Sequence, residues 1–329
     1  MPTAVVTGVA GQDGVLLSRL LADRGWSVVG TARPGADSTV RMAPYLDAAG
    51  VRVADVDVRD TAALLDVVRA ERADAVVNLA GISSVALSWR EPERTLAVNG
   101  TAVVDLLAGL AALDRPPRLV QASSAEVFGP GGPHDESATP APANPYGEAK
   151  AVAHEAVRAA REDRGAWACS VVLFNHESAL RGSGFATRKI TTAAAEVARG
   201  LRETVALGPV DVRRDWGSAH DHVRAVADLL EQDDPADLVL ATGATHALRD
   251  VVETAFAAGG VADPWARVES DASLHRPTEV PATVGDASAA ERLLGWRPTR
   301  PFADVIARMV EVDLRRIDTG VAEHPDYAA

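Results

Sequence analysis

The chain reads as an α/β protein built on a doubly wound parallel sheet, and two observations lead there. Short apolar runs at Ala4–Thr7, Ser27–Thr31, Val51–Val58, Ala75–Ala80 and Arg118–Ala122 alternate with segments of helical periodicity. The first run opens into G-V-A-G-Q-D-G, with Gly8, Gly11 and Gly14, and a helix from Val15 to Arg24 follows at once. Strand, glycine turn and helix in that order form a dinucleotide fingerprint. Its glycines let the backbone approach a pyrophosphate that rests on the helix N-terminus.

The second strand ends in Ala32-Arg33-Pro34. An acidic residue there would bind the ribose 2′-hydroxyl of NAD; Arg33 in its place favours the 2′-phosphate of NADP, with simple loop charge as the other reading. Asp57 and Val58, at the end of the third strand, are candidates for contact with adenine. A helix over Thr61–Arg72 leads to the fourth strand, which runs into N-L-A-G-I-S-S-V, where Leu79, Ala80 and Gly81 allow close approach to a cofactor and Ser83 and Ser84 face a substrate. Thr101–Leu113 is the next helix. The Pro-rich stretch from Gly129 to Pro145 reads as a surface loop.

The chemistry concentrates between Gln121 and Lys150. Ser124 and Glu126 follow a strand at its carboxyl end, where open α/β sheets bind ligands. Tyr146 and Lys150 are four apart in a helix from Pro145 to Arg161, and so share a face. A phenol loses its proton near pH ~10, and a nearby ammonium and a cofactor cation favour the phenolate. Y-x-x-x-K by itself also describes a surface helix pair. Lysine usage weighs against that: of 33 basic residues only Lys150 and Lys189 are lysine, and arginine cannot replace a compact ammonium that tunes a neighbour.

Beyond the helix, Trp167–Phe174 reads as a strand holding Cys169 in the core. The segment N-H-E-S-A-L-R-G-S-G-F-A-T-R-K-I follows, with Asn175, Arg188 and Lys189 suited to a diphosphate and His176 to the nicotinamide amide. Arg213 and Arg214 are further phosphate candidates, while Asp215 and Asp221 suit helix caps. Strands at Val205–Leu207 and Leu238–Thr242, helices at Asp221–Glu231, Leu248–Ala258 and about Phe302–Ile317, and a mobile tail from Thr319 complete the reading.

Composition sets outer bounds. The 329 residues are 47% hydrophobic and 24% charged, as in ordinary globular proteins. A net charge of −13 disfavours nucleic acid and anionic membranes as partners. One cysteine excludes an internal disulfide and suits a reducing compartment. No apolar run reaches membrane-spanning length, and a first strand at residue 4 leaves no room for a leader, so a cytoplasmic protein is expected. No His or Cys pair has metal-ligand spacing, and no metal is expected. Alanine-rich helices at Thr101–Leu113 and Pro145–Arg161 could form a two-fold bundle between subunits, giving a homodimer.

T-G-V-A-G-Q-D-G, N-L-A-x-x-S, Q-A-S-S-A-E, Y-x-x-x-K, L-F-N-H-E-S, T-R-K-I, R-D-W-G and R-P-T-E-V occur in this order between about residues 3 and 317. In this the chain resembles the GDP-mannose 4,6-dehydratase family of the extended short-chain dehydrogenase/reductases. The resemblance implies a Rossmann sheet over residues 1–172 plus about 210–245, interleaved with a smaller sugar-nucleotide domain over about 173–209 plus 246–329. It assigns catalysis to Ser124, in place of the family's threonine, with Glu126, Tyr146 and Lys150. It implies NADP contacts from Gly8, Gly11, Gln12, Asp13, Gly14, Arg33, Asp57, Val58, Leu79, Ala80, Gly81, His176 and Arg181 as well as the Tyr–Lys pair. The GDP-sugar falls to Ser83, Ser84, Asn175, Lys189, Arg214 and Arg276, with Glu279 near its ribose.

The implied reaction oxidises the sugar at C4, removes the C5 proton with loss of water from C6, and returns hydride to C6. A GDP-heptose, or an epimerase or 4-ketoreductase activity, stands as the alternative, and a non-catalytic NADP sensor as a more distant one. Ala125, Phe128 and Ser84 depart from the family's serine, tyrosine and histidine. The loop R-P-G-A-D-S-T lacks the family's paired arginines, which help build tetramers, so a homotetramer stays open beside the dimer.

Overall fold

In the computed structural model, which describes residues 1–274, 278 and 280–329, the amino-terminal half alternates as the sequence predicts. Its elements are β1 (Thr3–Thr7), α1 (Gln12–Asp23), β2 (Ser27–Ala32), α2 (Asp37–Ala48), β3 (Arg52–Asp55), α3 (Thr61–Ala70), β4 (Ala75–Asn78), α4 (Val85–Arg90) and α5 (Pro92–Leu96). A π-helical turn (Ala97–Thr101), α6 (Ala102–Ala111), β5 (Arg118–Ser124), β6 (Gly131–His134), α7 (Pro145–Arg164) and β7 (Ala168–Leu173) follow. The rest comprises β8 (Asn175–Glu177), α8 (Ala186–Ala198), β9 (Val205–Leu207), β10 (Arg213–Arg214), β11 (Trp216–Ser218), α9 (Ala219–Leu230), β12 (Leu238–Leu240) and β13 (His246–Ala247). Then come α10 (Leu248–Ala258), β14 (Val268–Ser270), β15 (Ala282–Gly285), α11 (Ser288–Leu294) and α12 (Phe302–Thr319).

Seven parallel strands form the main sheet in the order β12-β7-β5-β4-β1-β2-β3. Strand order reverses between β1 and β4, and the crevice at that reversal lies at the carboxyl ends. Alternate side chains serve opposite faces: Ala4 and Val6 pack with α1, α2 and α9, while Val5 packs with α3, α6 and α7. A third core joins α8, α10 and α12 around Phe256, Ile306 and Met309. Among the described residues no helix is long and apolar enough to cross a membrane.

Local chemistry sets the limits of α7. Asn144 accepts the N–H of Gly147 with its side chain, Pro145 takes the first helical position, and Gly165 ends the helix at φ +66°. By contrast α2 lacks an N-cap side-chain bond and carries Pro44 inside. Its burial of Met42, Tyr45 and Leu46 outweighs these local defects.

Several expectations need correction. The stretch from Gly129 is not wholly a surface loop, because β6 pairs with β15 and Glu136 accepts the N–H of Val239. The third strand stops at Asp55, so Asp57 and Val58 lie in the turn beyond it. Asp215 caps no helix; it accepts the N–H groups of Thr242 and Gly243 and the Thr242 hydroxyl. Asp221 sits within the first turn of α9 and holds Thr299 and Arg300.

The tail after α12 is packed, not mobile. Tyr327 is 3% exposed and lies against the guanidinium groups of Arg315 and Arg316. Arg19 and Arg308 donate to the carbonyls of Pro325 and Asp326, and Glu323 accepts from Tyr45. Removing the ring by Tyr327→Ala should cost about 3 kcal/mol in urea unfolding. A loss under about 1 kcal/mol, the level of an exposed side chain, would contradict this packing.

Candidate active site

The site forms where the first turn of α7 meets the end of β5. Ser124 closes the strand, and its Oγ accepts the N–H of Glu126 at 3.3 Å to start a 3₁₀ turn. Asn144, the N-cap of α7, donates to Glu126 Oε2 at 2.7 Å. Tyr146 is hydrogen-bonded to Ser124, and the Glu126 charge acts on its phenol. Lys150 donates to the carbonyl of Ala122 at 2.8 Å, with Nζ 6.0 Å from the centre of the Tyr146 ring. The four residues expected to act together are therefore neighbours.

Burial dominates the protonation of the pair. It pushes the Tyr146 phenol up to about 12, with Glu126 and Asp13 adding to the rise while the Ser124 hydrogen bond and Arg181 oppose it. Burial also brings Lys150 down to about 8. A phenolate at neutral pH thus needs positive charge beyond what the protein alone brings.

Beside this pair lies a cradle shaped for a dinucleotide. A Cβ on Gly8 would meet Ala80 Cα at 2.8 Å, and one on Gly14 would meet Gly8 O at 2.5 Å, so only glycine leaves the turn this tight. Gly11 caps α1 without a side-chain bond, leaving its first N–H groups for an anion. Leu79 and Ala80 follow β4, and a Cβ on Gly81 would sit 3.7 Å from Lys150 Nζ. These residues fit NADP. Arg33 is exposed after β2 and its charge acts on Asp57. Asp57 is chelated by Arg59, chiefly through side-chain hydrogen bonds that hold its carboxyl at about 2.

Gln12 and Asp13 turn toward the protein. Gln12 donates to His176 O at 3.2 Å and accepts from Ser178 at 2.9 Å. Asp13 pairs with His176 Nε2 at 2.8 Å, while His176 Nδ1 faces Phe174 O at 2.7 Å. Both ring nitrogens are thus engaged, and neither is left for a nicotinamide amide. Burial opposes charge on both partners, yet their mutual attraction prevails, holding Asp13 far below the carboxylate range and raising His176. Below His176 stacks His222, which burial drives down to about 3. Arg181 pairs with Glu177 at 3.1 Å and covers Phe185.

The expected sugar-nucleotide residues are spread around this centre. Ser83 is exposed, and Ser84 caps α4 by accepting the N–H of Leu87. Asn175 opens β8 beside Trp216, and Lys189 lies in the first turn of α8. Arg188, a diphosphate candidate, is instead engaged by buried Asp313. Arg214 is buried, donating to the carbonyls of Arg213 and Val280. Arg276 and Glu279 lie outside the described residues.

A model of the GDP-mannose 4,6 dehydratase family matches residues 5–309. The chain belongs to that family. It is 38% identical over 327 residues to GDP-mannose 4,6 dehydratase 1 of Arabidopsis thaliana, covering 94% of this chain and 89% of the relative. It is 34% identical over 348 residues to the GDP-mannose 4,6-dehydratase of Vibrio cholerae, covering 95% and 94%. The fold matches UDP-glucose 4-epimerase of Bifidobacterium longum in complex with NAD+ and UDP, with TM-score 0.83, 24% identity and coverage of 96% and 99%. It likewise matches RMD of Pseudomonas aeruginosa complexed with NADPH, with TM-score 0.80, 23% identity and coverage of 96% and 100%.

The departures within this dehydratase-family chain have a packing consequence. Ala125 and Phe128 join an apolar cluster with Val127, Val172 and Phe174, and Phe128 stacks on His134. Sequence reasoning missed Asn144, although Asn before Pro at a helix start is a capping signal that could have exposed it. It also missed Arg59, whose position two residues after Asp57 is the local signal that could have exposed it.

The Asp13–His176 pair yields a pH signature. Asp13, with its lowered folded value, stabilises above the ordinary carboxylate range; His176, with its raised one, does so fully below ~6.5 and loses the effect at higher pH. Asp13→Asn should therefore destabilise more at pH 5.5 than at pH 9, by about 2 kcal/mol at the lower pH given the partly exposed Asp13 edge. Equal losses at the two pH values in urea titrations would refute the pair.

Proposed function

We propose that this protein dehydrates GDP-mannose to GDP-4-keto-6-deoxymannose with NADP. The reading is carried by a carboxylate, Glu126, beside the Tyr146–Lys150 pair: an epimerase or ketoreductase of this fold needs the pair but not that base. The names of the family relatives support the substrate. Arg33, in place of an acidic residue after β2, supports the phosphorylated dinucleotide.

Held by the glycine cradle of Gly8, Gly11 and Gly14, NADP would supply a cationic ring that favours the Tyr146 phenolate and the hydride acceptor and donor that the oxidation at C4 and the reduction at C6 require. Tyr146 takes the C4 hydroxyl proton, and the Ser124 hydroxyl steadies the same oxygen. The C4 ketone acidifies C5–H, and Glu126 removes that proton. Glu126 then protonates the C6 hydroxyl, which leaves as water, and as hydride reaches C6 the proton that Tyr146 took from the C4 hydroxyl is delivered to C5. Asn144 holds one Glu126 oxygen, leaving the other for the sugar. Lys189 and Arg214, with Asn175, Arg276 and Glu279, take the GDP moiety. Residues 1–172 and about 210–245 form the domain that binds NADP and residues about 173–209 and 246–329 the domain that binds the sugar nucleotide, with the reacting groups and Arg214 reaching the sugar nucleotide from the first.

Incubation with GDP-mannose should yield a product lighter by one water, detected by mass spectrometry. Glu126→Gln should retain C4 oxidation, seen as reduced-nicotinamide absorbance, but lose dehydrated product by roughly 10³-fold. Full turnover by this variant would exclude Glu126 as the base.

The assembly we propose is a homodimer through α6 and α7. Exposed Trp89, Leu96, Val104 and Val152, on α4 to α7, support an apolar patch made for a second copy. Val104→Glu combined with Val152→Glu should give a monomer by light scattering, and a persistent dimer would place the interface elsewhere.

A further inference from the structure

The Ala122 carbonyl that receives Lys150 also accepts a second donor, Gln121 Nε2, at 2.8 Å. Pairing between β4 and β5 ends at Asn78 and Gln121, one residue short of Ala122. Gln121 Oε1 accepts from Asn78 Nδ2 at 2.7 Å, and Asn78 Oδ1 accepts from the Thr7 hydroxyl at 2.5 Å. The Thr7 oxygen in turn accepts the N–H of Ala80 at 3.1 Å. Every bond donates in the same sense, from Ala80 across β1, β4 and β5 to Ala122, so the chain is satisfied at each link.

Thr7, Asn78 and Gln121 are each no more than 3% exposed and carry no charge. Apolar residues of similar shape would serve stability as well or better. A buried ammonium, however, needs an acceptor that cannot turn away. We propose that Thr7, Asn78 and Gln121 are positioning residues that lock the Ala122 peptide so that its oxygen holds the Lys150 ammonium one helical turn from Tyr146. This rests on the reading of Tyr146 and Lys150 as the proton-handling pair. The charged and titratable groups around the pair are Glu126 beyond β5, Asp13 beyond β1 and Arg181 beyond β8. Burial is what acts on Lys150 itself.

The scarcity of lysine makes a direct test possible. Full-length protein labelled with ¹³C-lysine, without cofactor or substrate, gives signals from only Lys150 and Lys189, and Lys189→Arg tells them apart. The Lys150 signal should titrate at about 8 in the parent protein. Gln121→Met, which keeps length and loses the amide, should lower that midpoint by about one pH unit. Thr7→Val, three links away, should lower it by less, and Thr7→Ser should restore it. The alkaline limb of the kcat/KM profile should move with the NMR midpoint. Midpoints in Gln121→Met and Thr7→Val equal to the parent's overturn the proposal, as does a Thr7→Ser variant that behaves like Thr7→Val. Shifted midpoints in a protein that releases no dehydrated product would sink the functional reading alone; dehydration without any shift would sink the positioning chain alone.

Discussion

The site depends on one close contact, the seating of the α7 amino terminus on the turn after β5. A Cβ at Gly147 would lie 2.2 Å from the carbonyl oxygen of Glu126, so the helix reaches this depth only with glycine there. Because the helix is rigid, that seating fixes Tyr146 one residue before the contact and Lys150 one turn beyond Tyr146. Asn144 joins the two elements twice, capping the helix and holding the Glu126 carboxylate. Phenol, carboxylate and ammonium are thereby positioned by backbone docking, with little left to side-chain freedom.

The second constraint is electrical. The glycine turn carries an acid, Asp13, close to where a pyrophosphate would rest, and His176 neutralises it from the far side of the crevice. Gln12 adds a neutral tie to the same segment. The turn is thus braced by β8 before any ligand arrives, which spares the cofactor part of the ordering cost. The same low polarity that strengthens this pair raises the Tyr146 phenol and lowers Lys150, so burial favours the neutral form of both.

Much of this could be read beforehand, for identifiable reasons. The start of α7 was legible because proline suits the first helical position; its end, expected at Arg161, lies at Arg164, where Gly165 closes the helix. The Tyr–Lys pair was legible because a four-residue spacing has one geometric meaning in a helix. Helix α2 was not, since an internal proline and an uncapped start conceal a segment that only burial stabilises. Asn78 and Gln121 were equally silent: a neutral amide inside a strand has no signature until its partners surround it. The ordered tail escaped notice because Tyr327 finds its arginines only once α12 is in place.

The amino-acid order by itself determined the alternation of strands and helices, the glycine turn and the local placement of Ser124, Glu126, Tyr146 and Lys150, because each is written in periods or spacings shorter than a turn or two. Only the tertiary structure decided which polar groups meet across the crevice. Gln12 and His176 stand 164 residues apart, Asn78 and Gln121 stand 43 apart, and no local pattern encodes either encounter. Their pairing follows from strand order and helix docking, which are settled by burial summed over the whole chain.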